Sequence, residues 1–199
     1  MNAIHPGLYG MADAAFGDPA NTVERLVQAG CRTVQIRAKG FNDDDLLDAA
    51  LRSKRVLGDA KLIINDNIDV AKACGADGVH LGQEDASVEE ARAALGADRI
   101  IGLSTHHIGQ VRAPHGADYI GFGPVFSTTT KQHAGPAKGL ALLTEAVTES
   151  PVPVVAIGGI GLSNINDVRS TGVHAWAVIR ALMEASDWET AVRTMMAQP

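Results

Sequence analysis

The sequence predicts an α/β protein, a single-domain (β/α)8 (TIM) barrel over residues 1–199, on three observations. Eight short apolar segments recur at about 25 residues per unit, 199 divided by eight. Several are near-continuous runs (LIIN, IIGL, VPVVAIGG, AWAVI), the pattern of parallel strands covered on both faces. Stretches with helical spacing lie between them, and glycines crowd the ends of the last two strands. A doubly wound open sheet also alternates strand and helix, but eight regular units favour closure.

The predicted strands are Gly7–Asp13, Thr33–Ala38, Lys61–Asp66, Gly78–Gly82, Ile100–Thr105, Ala117–Val125, Val152–Gly159 and His174–Arg180. In the first connection Val23, Leu26 and Val27 keep an i, i+3, i+4 rule, and Gly30 stops the helix. Asn42 precedes three aspartates, which favour the positive end of a helix running to about Leu57. Ser87 and Glu90 have capping-box spacing ahead of Ala91, Ala94 and Leu95, with Gly96 as the stop. A helix opens near Ser163, and Trp188, Val192, Met195 and Met196 form the apolar face of a last one. No linker or low-complexity stretch divides the chain.

Composition narrows the function. Of 199 residues, 46% are hydrophobic and 20% charged, ordinary values for a globular chain with one substantial core. Aromatics supply only 4%, so the core is aliphatic, while 21 glycines fit tight connections between buried strands. The balance of 23 acidic against 17 basic residues, net −6, argues against a general nucleic-acid surface. No secretory signal opens the sequence and no apolar run reaches the roughly 18 residues of a membrane span. Cys31 and Cys74 cannot build a disulfide framework and suit a reducing cytoplasm.

Barrel active sites lie at the C-terminal ends of the strands, so the residues ending each strand are the candidates. Strand two ends in Gln35, Arg37 and Lys39, alternating residues expected on one face. Strand three ends in Asn65 and Asp66, and strand four runs through His80 into Gln83, Glu84 and Asp85. Strand five contributes Ser104, strand six leads to Thr128, Thr130 and Lys131, strand seven ends in Gly158-Gly159 and strand eight in Ile179-Arg180. Arg37, Lys39, Lys131 and Arg180 are expected at one mouth of an acidic protein, as a phosphate or diphosphate requires, the alternative being separate surface cations. Asp66 and Asp85 would repel that anion unless a divalent ion bridges them, and Mg²⁺ takes one or two carboxylates with phosphate oxygens and water. The structural alternative has Asp66 capping the next helix and Asp85 holding a turn. The glycine run suits a phosphate approached by backbone N–H groups, or else only the bend after the strand. His106-His107 make a poor metal pair; Cys31, Cys74 and Trp176 read as packing and His80 as a satisfied strand histidine. No nucleophilic triad is present.

With these positions assembled, the chain resembles the thiamine phosphate synthase family over essentially its whole length. The matching segments are QIRAK (35–39), IINDN (63–67), DGVHLGQED (77–85), IGLST (101–105), ADYIGFGPVFSTTTK (117–131) and VAIGGI (155–160). The resemblance implies an Mg²⁺-dependent condensation of a pyrimidine methyl diphosphate with a thiazole phosphate, releasing diphosphate. It assigns Gln35, Arg37, Lys39, Asn65, Ser104 and Lys131 to the pyrimidine diphosphate and Asp66 and Asp85 to the metal. Thr128, Thr130, Gly159, Ile179 and Arg180 fall in its thiazole-phosphate site, and Lys39, Lys131 and Ser104 in its catalytic set. The family's chemistry needs no protein nucleophile, which matches the absence of a triad.

Two features depart from the family pattern: Arg180 stands where a serine is common, and the opening LYGMADAAFG strays from an LYLVTD-like start. The rival expectations are a thiazole tautomerase, whose members carry a histidine where this chain has Pro124, and a non-catalytic barrel sensing thiamine precursors. Pro124, Asp66 and Asp85 argue against the first; the complete Mg²⁺ and lysine set argues against the second, for which only Arg180 speaks. The partners expected are small phosphorylated substrates, with neither nucleic acid nor membrane, and the oligomeric state stays open.

Overall fold

The computed structural model describes residues 4–128, 130 and 135–197. Eight strands form a closed barrel in sequence order. They are β1 (Gly7–Asp13), β2 (Thr33–Arg37), β3 (Lys61–Asn65), β4 (Gly78–Leu81), β5 (Ile100–Thr105), β6 (Tyr119–Phe122), β7 (Val154–Ile157) and β8 (Ala175–Val178). Every neighbouring pair is parallel, and Gly7 to Gly10 pair with Ala175 to Val178 to close the ring. The helices are α1 (Pro19–Gln28), α2 (Asp43–Lys54), α3 (Ile68–Ala73), α4 (Val88–Leu95), α5 (Ile108–Arg112), α6 (Gly139–Glu149), α7 (Ile165–Ser170), α8 (Arg180–Met183) and α9 (Trp188–Met196). Among the described residues no helix is long and apolar enough to cross a membrane.

Local chemistry sets where the helices start. The Asp18 carboxylate accepts from the Ala20 and Asn21 amides, with Pro19 supplying a preset φ at the first position of α1. Asn42 caps α2, whose first turn carries Asp43, Asp44 and Asp45 at the positive end of the helix dipole. Ser87 and Glu90 make the reciprocal bonds of a capping box at α4.

Several boundaries differ from those expected. Helix α2 ends at Lys54 rather than near Leu57, because the chain turns back through Gly58 (φ 54°) to enter β3. Strand β7 starts at Val154, since Pro153 lacks the N–H that a ladder needs. The long segment 117–125 holds only a four-residue strand. Its apolar tail continues as a loop turned onto the barrel, with Val125 buried and the Gly123–Pro124 peptide cis. The helix expected from Ser163 starts at Ile165, and the single turn α8, too short to show a period, interrupts the strand-helix alternation before α9.

Two cores result. Inside the barrel lie Tyr9, Met11, Ile63, Ile100, Tyr119, Val155, Ala175 and Ala177. Outside, an aliphatic layer such as Val23, Leu26, Val34, Ile64, Ile101 and Leu143 fills the space between strands and helices. Trp176 belongs to that outer layer: its indole N–H donates to the Met195 carbonyl at 2.9 Å, and the Arg169 guanidinium lies over its ring. Arg169 also donates to the Thr194 carbonyl at 2.7 Å, fastening α9 across β8. Both cysteines are buried and free; burial pushes the Cys31 thiol up to about 11, so it stays protonated and inert.

Gly102 of β5 is in register with His80 of β4 and Tyr119 of β6. A Cβ there would lie 2.2 Å from the Tyr119 ring and 2.5 Å from the His80 Nδ1. The missing side chain is thus what lets those two rings meet inside the barrel. Gly102→Ala is expected to destabilise the protein by about 1–3 kcal/mol through overpacking, read as a lower urea midpoint at constant slope.

Candidate active site

The C-terminal ends of the strands surround a cavity of about 1190 Å³. It is lined by every candidate that lies within the described residues: Gln35, Arg37, Lys39, Asn65, Asp66, Asp85, Ser104, Thr128, Thr130, Gly159, Ile179 and Arg180. Lys131 lies outside the described residues. The convergence follows from parallel closure, which delivers all eight strand ends to one rim.

Arg37 ends β2 opposite Asp13, the last residue of β1. Its Nη1 donates to Asp13 Oδ2 at 2.6 Å, while Asp13 Oδ1 accepts from the Ala15 amide at 2.9 Å. Asp13 is 2% exposed, so a buried carboxylate holds the base of a guanidinium whose other edge faces the cavity. Lys39 does not continue the β2 face. It stands in the turn beyond the strand, with its ammonium on the Asp66 carboxylate. Asp66 adopts the left-handed conformation (φ 63°) and does not cap α3; Asn67 does, through the Val70 amide.

Asp85 does hold a turn, accepting from the Gly82 amide at 2.7 Å, yet its carboxylate also reaches Asp66. Burial, followed by this second carboxylate, raises the Asp66 pKa against the opposing pull of Lys39. Two carboxylates crowded together carry surplus negative charge that a bound cation relieves. Two such groups beside phosphate oxygens are what Mg²⁺ takes, so the donor set fits that ion. Among the described residues no three His, Cys, Asp or Glu side chains gather as a metal cage, the arrangement a structural zinc would need.

On the opposite side, Gly158 and Gly159 have φ values of 99° and 65°. A Cβ on Gly158 would lie 2.5 Å from Pro124 Cα, and one on Gly159 2.6 Å from the Ser127 carbonyl oxygen. These glycines are therefore demanded by the loop after β6 whatever binds beside them. Thr128 and Thr130 hydroxyls sit 3.4 Å apart on that loop. Arg180 opens α8, about half exposed, with its Nε 3.7 Å from Glu184, which also lines the cavity.

The floor holds groups that were not singled out as site residues. Tyr9, Met11 and Tyr119 line the cavity from below, and His80 bonds both Tyr119 and Ser104. His80 is thus satisfied, as expected, but by a site residue. Asp13 and the two tyrosines sit in apolar-looking strands, where only the alternation of inward positions with Gln35 marks them. A rim clamp joins three loops: Gln83 donates to the Ser104 carbonyl at 2.6 Å, Gln110 donates to Gln83 at 2.8 Å, and the His106 ring meets the Gly123 carbonyl at 3.1 Å. His106 and His107 serve separate tasks, the latter accepting from the Gln110 amide at the start of α5.

The comparisons with known proteins agree with this geometry. A family model described as thiamine monophosphate synthase matches residues 8–182. The thiamine-phosphate synthase of Anaeromyxobacter dehalogenans is 40% identical over 194 residues, covering 96% of this chain and 86% of the relative. That of Laribacter hongkongensis is 41% identical over 197 residues, covering 98% and 92%. The solved thiamine phosphate pyrophosphorylase from Pyrococcus furiosus superposes with a TM-score of 0.87 at 34% identity, over 95% of this chain and 93% of that one. A match running from β1 into α8, with relatives at this identity over nearly their full length, leaves one conclusion: the chain belongs to the thiamine monophosphate synthase family.

Proposed function

We propose that this protein is a transferase that joins a pyrimidine methyl diphosphate to a thiazole phosphate, forming thiamine phosphate and releasing diphosphate. The observation that carries the reading is the grouping of Arg37, Lys39, Asn65, Asp66, Asp85 and Ser104 around one cavity, in a chain of this family. The tautomerase alternative loses its requirement, since Pro124 stands at the cavity wall where that group has its histidine.

The reaction breaks the bond between the pyrimidine methylene carbon and the diphosphate oxygen, and the electron pair leaves with the diphosphate. The methylene carbon is left cation-like, stabilised by the pyrimidine's own amino group. The thiazole nitrogen then supplies the pair for the new C–N bond. Charge therefore grows on the leaving oxygen, and catalysis amounts to holding two substrates in line and neutralising that charge. Arg37, braced by Asp13, offers a fork of donors to the diphosphate. Lys39 exchanges its bond to Asp66 for the same anion. Asp66 and Asp85 would hold Mg²⁺, which when bound supplies Lewis-acid stabilisation of the leaving group. Lys131 joins this set by the family resemblance. Gln35, Asn65 and Ser104 orient the pyrimidine, while Thr128, Thr130, Gly159, Ile179 and Arg180 receive the thiazole phosphate. Arg180 replaces a neutral hydroxyl with a charged fork and is balanced at rest by Glu184. The two buried free thiols suit work in a reducing cytoplasm.

Supplying both substrates is expected to release diphosphate only in the presence of Mg²⁺, with Asp66→Asn and Asp85→Asn each removing the metal response. Turnover indifferent to chelation would overturn the assignment. Asp13→Asn is expected to raise KM for the pyrimidine diphosphate by about tenfold, the worth of one charged hydrogen bond, with a smaller change in kcat. An unchanged KM would mean that Arg37 needs no brace. Lys39→Ala is expected to lower kcat more than it raises either KM, measured under saturation by both substrates.

A further inference from the structure

Five side chains from five strands form one continuous hydrogen-bond chain across the cavity floor. Gln35 Nε2 donates to the Tyr9 hydroxyl at 3.0 Å, and the Tyr9 and Tyr119 hydroxyls lie 2.7 Å apart. Tyr119 meets His80 Nδ1 at 2.9 Å, and His80 Nε2 meets Ser104 Oγ at 3.0 Å. Gln35 and both tyrosines are buried, and Gly102 leaves the space in which Tyr119 and His80 touch. Burial raises both phenol pKa values, so each tyrosine keeps its one proton to give.

Counting those protons gives the chain a direction. Tyr9 accepts from Gln35, so its own proton goes to Tyr119, its other hydrogen-bond partner among the described residues. Tyr119 then gives its proton to His80 Nδ1, which leaves the ring proton on Nε2. That proton goes to Ser104 Oγ, and the Ser104 proton is left over. With Gln35 donating, the opposite order strands the Tyr9 proton without an acceptor among the described residues, a state that native interiors avoid. Turning the Gln35 amide over would reverse every proton in the chain and make Ser104 an internal donor to His80.

We propose that this relay makes Tyr119 and His80 positioning residues: it holds His80 as the Nε2–H tautomer and sets Ser104 as a hydrogen-bond donor into the cavity. The substrate atom that docks against Ser104 is accordingly an acceptor carrying no proton, such as a ring nitrogen. The inference rests on the proposed reaction only in taking this cavity as the substrate site.

The test is the ring protonation of His80 by long-range proton–nitrogen NMR on the ¹⁵N-labelled protein, its signal identified by loss in His80→Gln. The expected wild-type result is a protonated Nε2 and a bare Nδ1. Tyr9→Phe is expected to keep that tautomer, because Tyr119 still donates to His80. Tyr119→Phe is expected to give a mixture of tautomers and to lower kcat/KM about tenfold, the effect of one hydrogen bond. A wild-type Nδ1–H, or a pure Nε2–H retained in Tyr119→Phe, would overturn the relay. The wild-type measurement decides the direction even where a variant fails to fold. The tautomer is read without turnover, so a wild type that makes no thiamine phosphate overturns the reaction and not the relay.

Discussion

Residues separated by more than a hundred positions share one cavity because β8 pairs with β1, in register from Gly7 to Gly10. Parallel closure leaves no edge strand and points all eight strand ends the same way. The site is a consequence of that ring. Arg37 can lean on Asp13 only because β1 and β2 end level, and Ser104 can meet His80 only because β4 and β5 run side by side. Arg37–Asp13, Lys39–Asp66 and His80–Ser104 join neighbouring units of the barrel and the tyrosines face each other across its interior, while Arg180–Glu184 is local to α8.

Electrostatics divides the molecule into two regimes. The chain as a whole carries a net charge of −6, which leaves an anionic substrate little general attraction. Among the described residues the cavity's positive charge sits on Arg37, Lys39 and Arg180, and each of these is partnered by a carboxylate: Asp13, Asp66 and Glu184. The partners differ in burial, and this sets their roles. Asp13 is almost sealed and stays with its arginine, whereas Glu184 is more than half exposed and its bond is long and readily exchanged.

Fold class was legible in the sequence because parallel strands covered on both faces write uninterrupted apolar runs. Loop exits were less legible: the apolar stretch 117–125 reads as one strand, yet half of it is a loop folded onto the barrel mouth. The rim residues were legible as polar groups at strand ends, an argument that depends only on topology. Two things escaped it. Asp66 was open to a capping role that Asn67 performs, since capping depends on a backbone twist no residue name carries. The Tyr9–Tyr119 contact joins residues 110 positions apart, and the gap that admits it is a missing side chain on a third strand.

Gly158 and Gly159 bear on how relatives of this chain are read. Pro124, Phe126 and Ser127 leave no room for a side chain at either position. The packing of the loop after β6 therefore demands the pair whatever binds beside it. The two glycines after β7 are consequently a mark of this fold rather than of any one chemistry. The neighbouring carboxylates of Asp66 and Asp85 carry no such packing demand: one is held by the Lys39 ammonium and the other by the Gly82 amide.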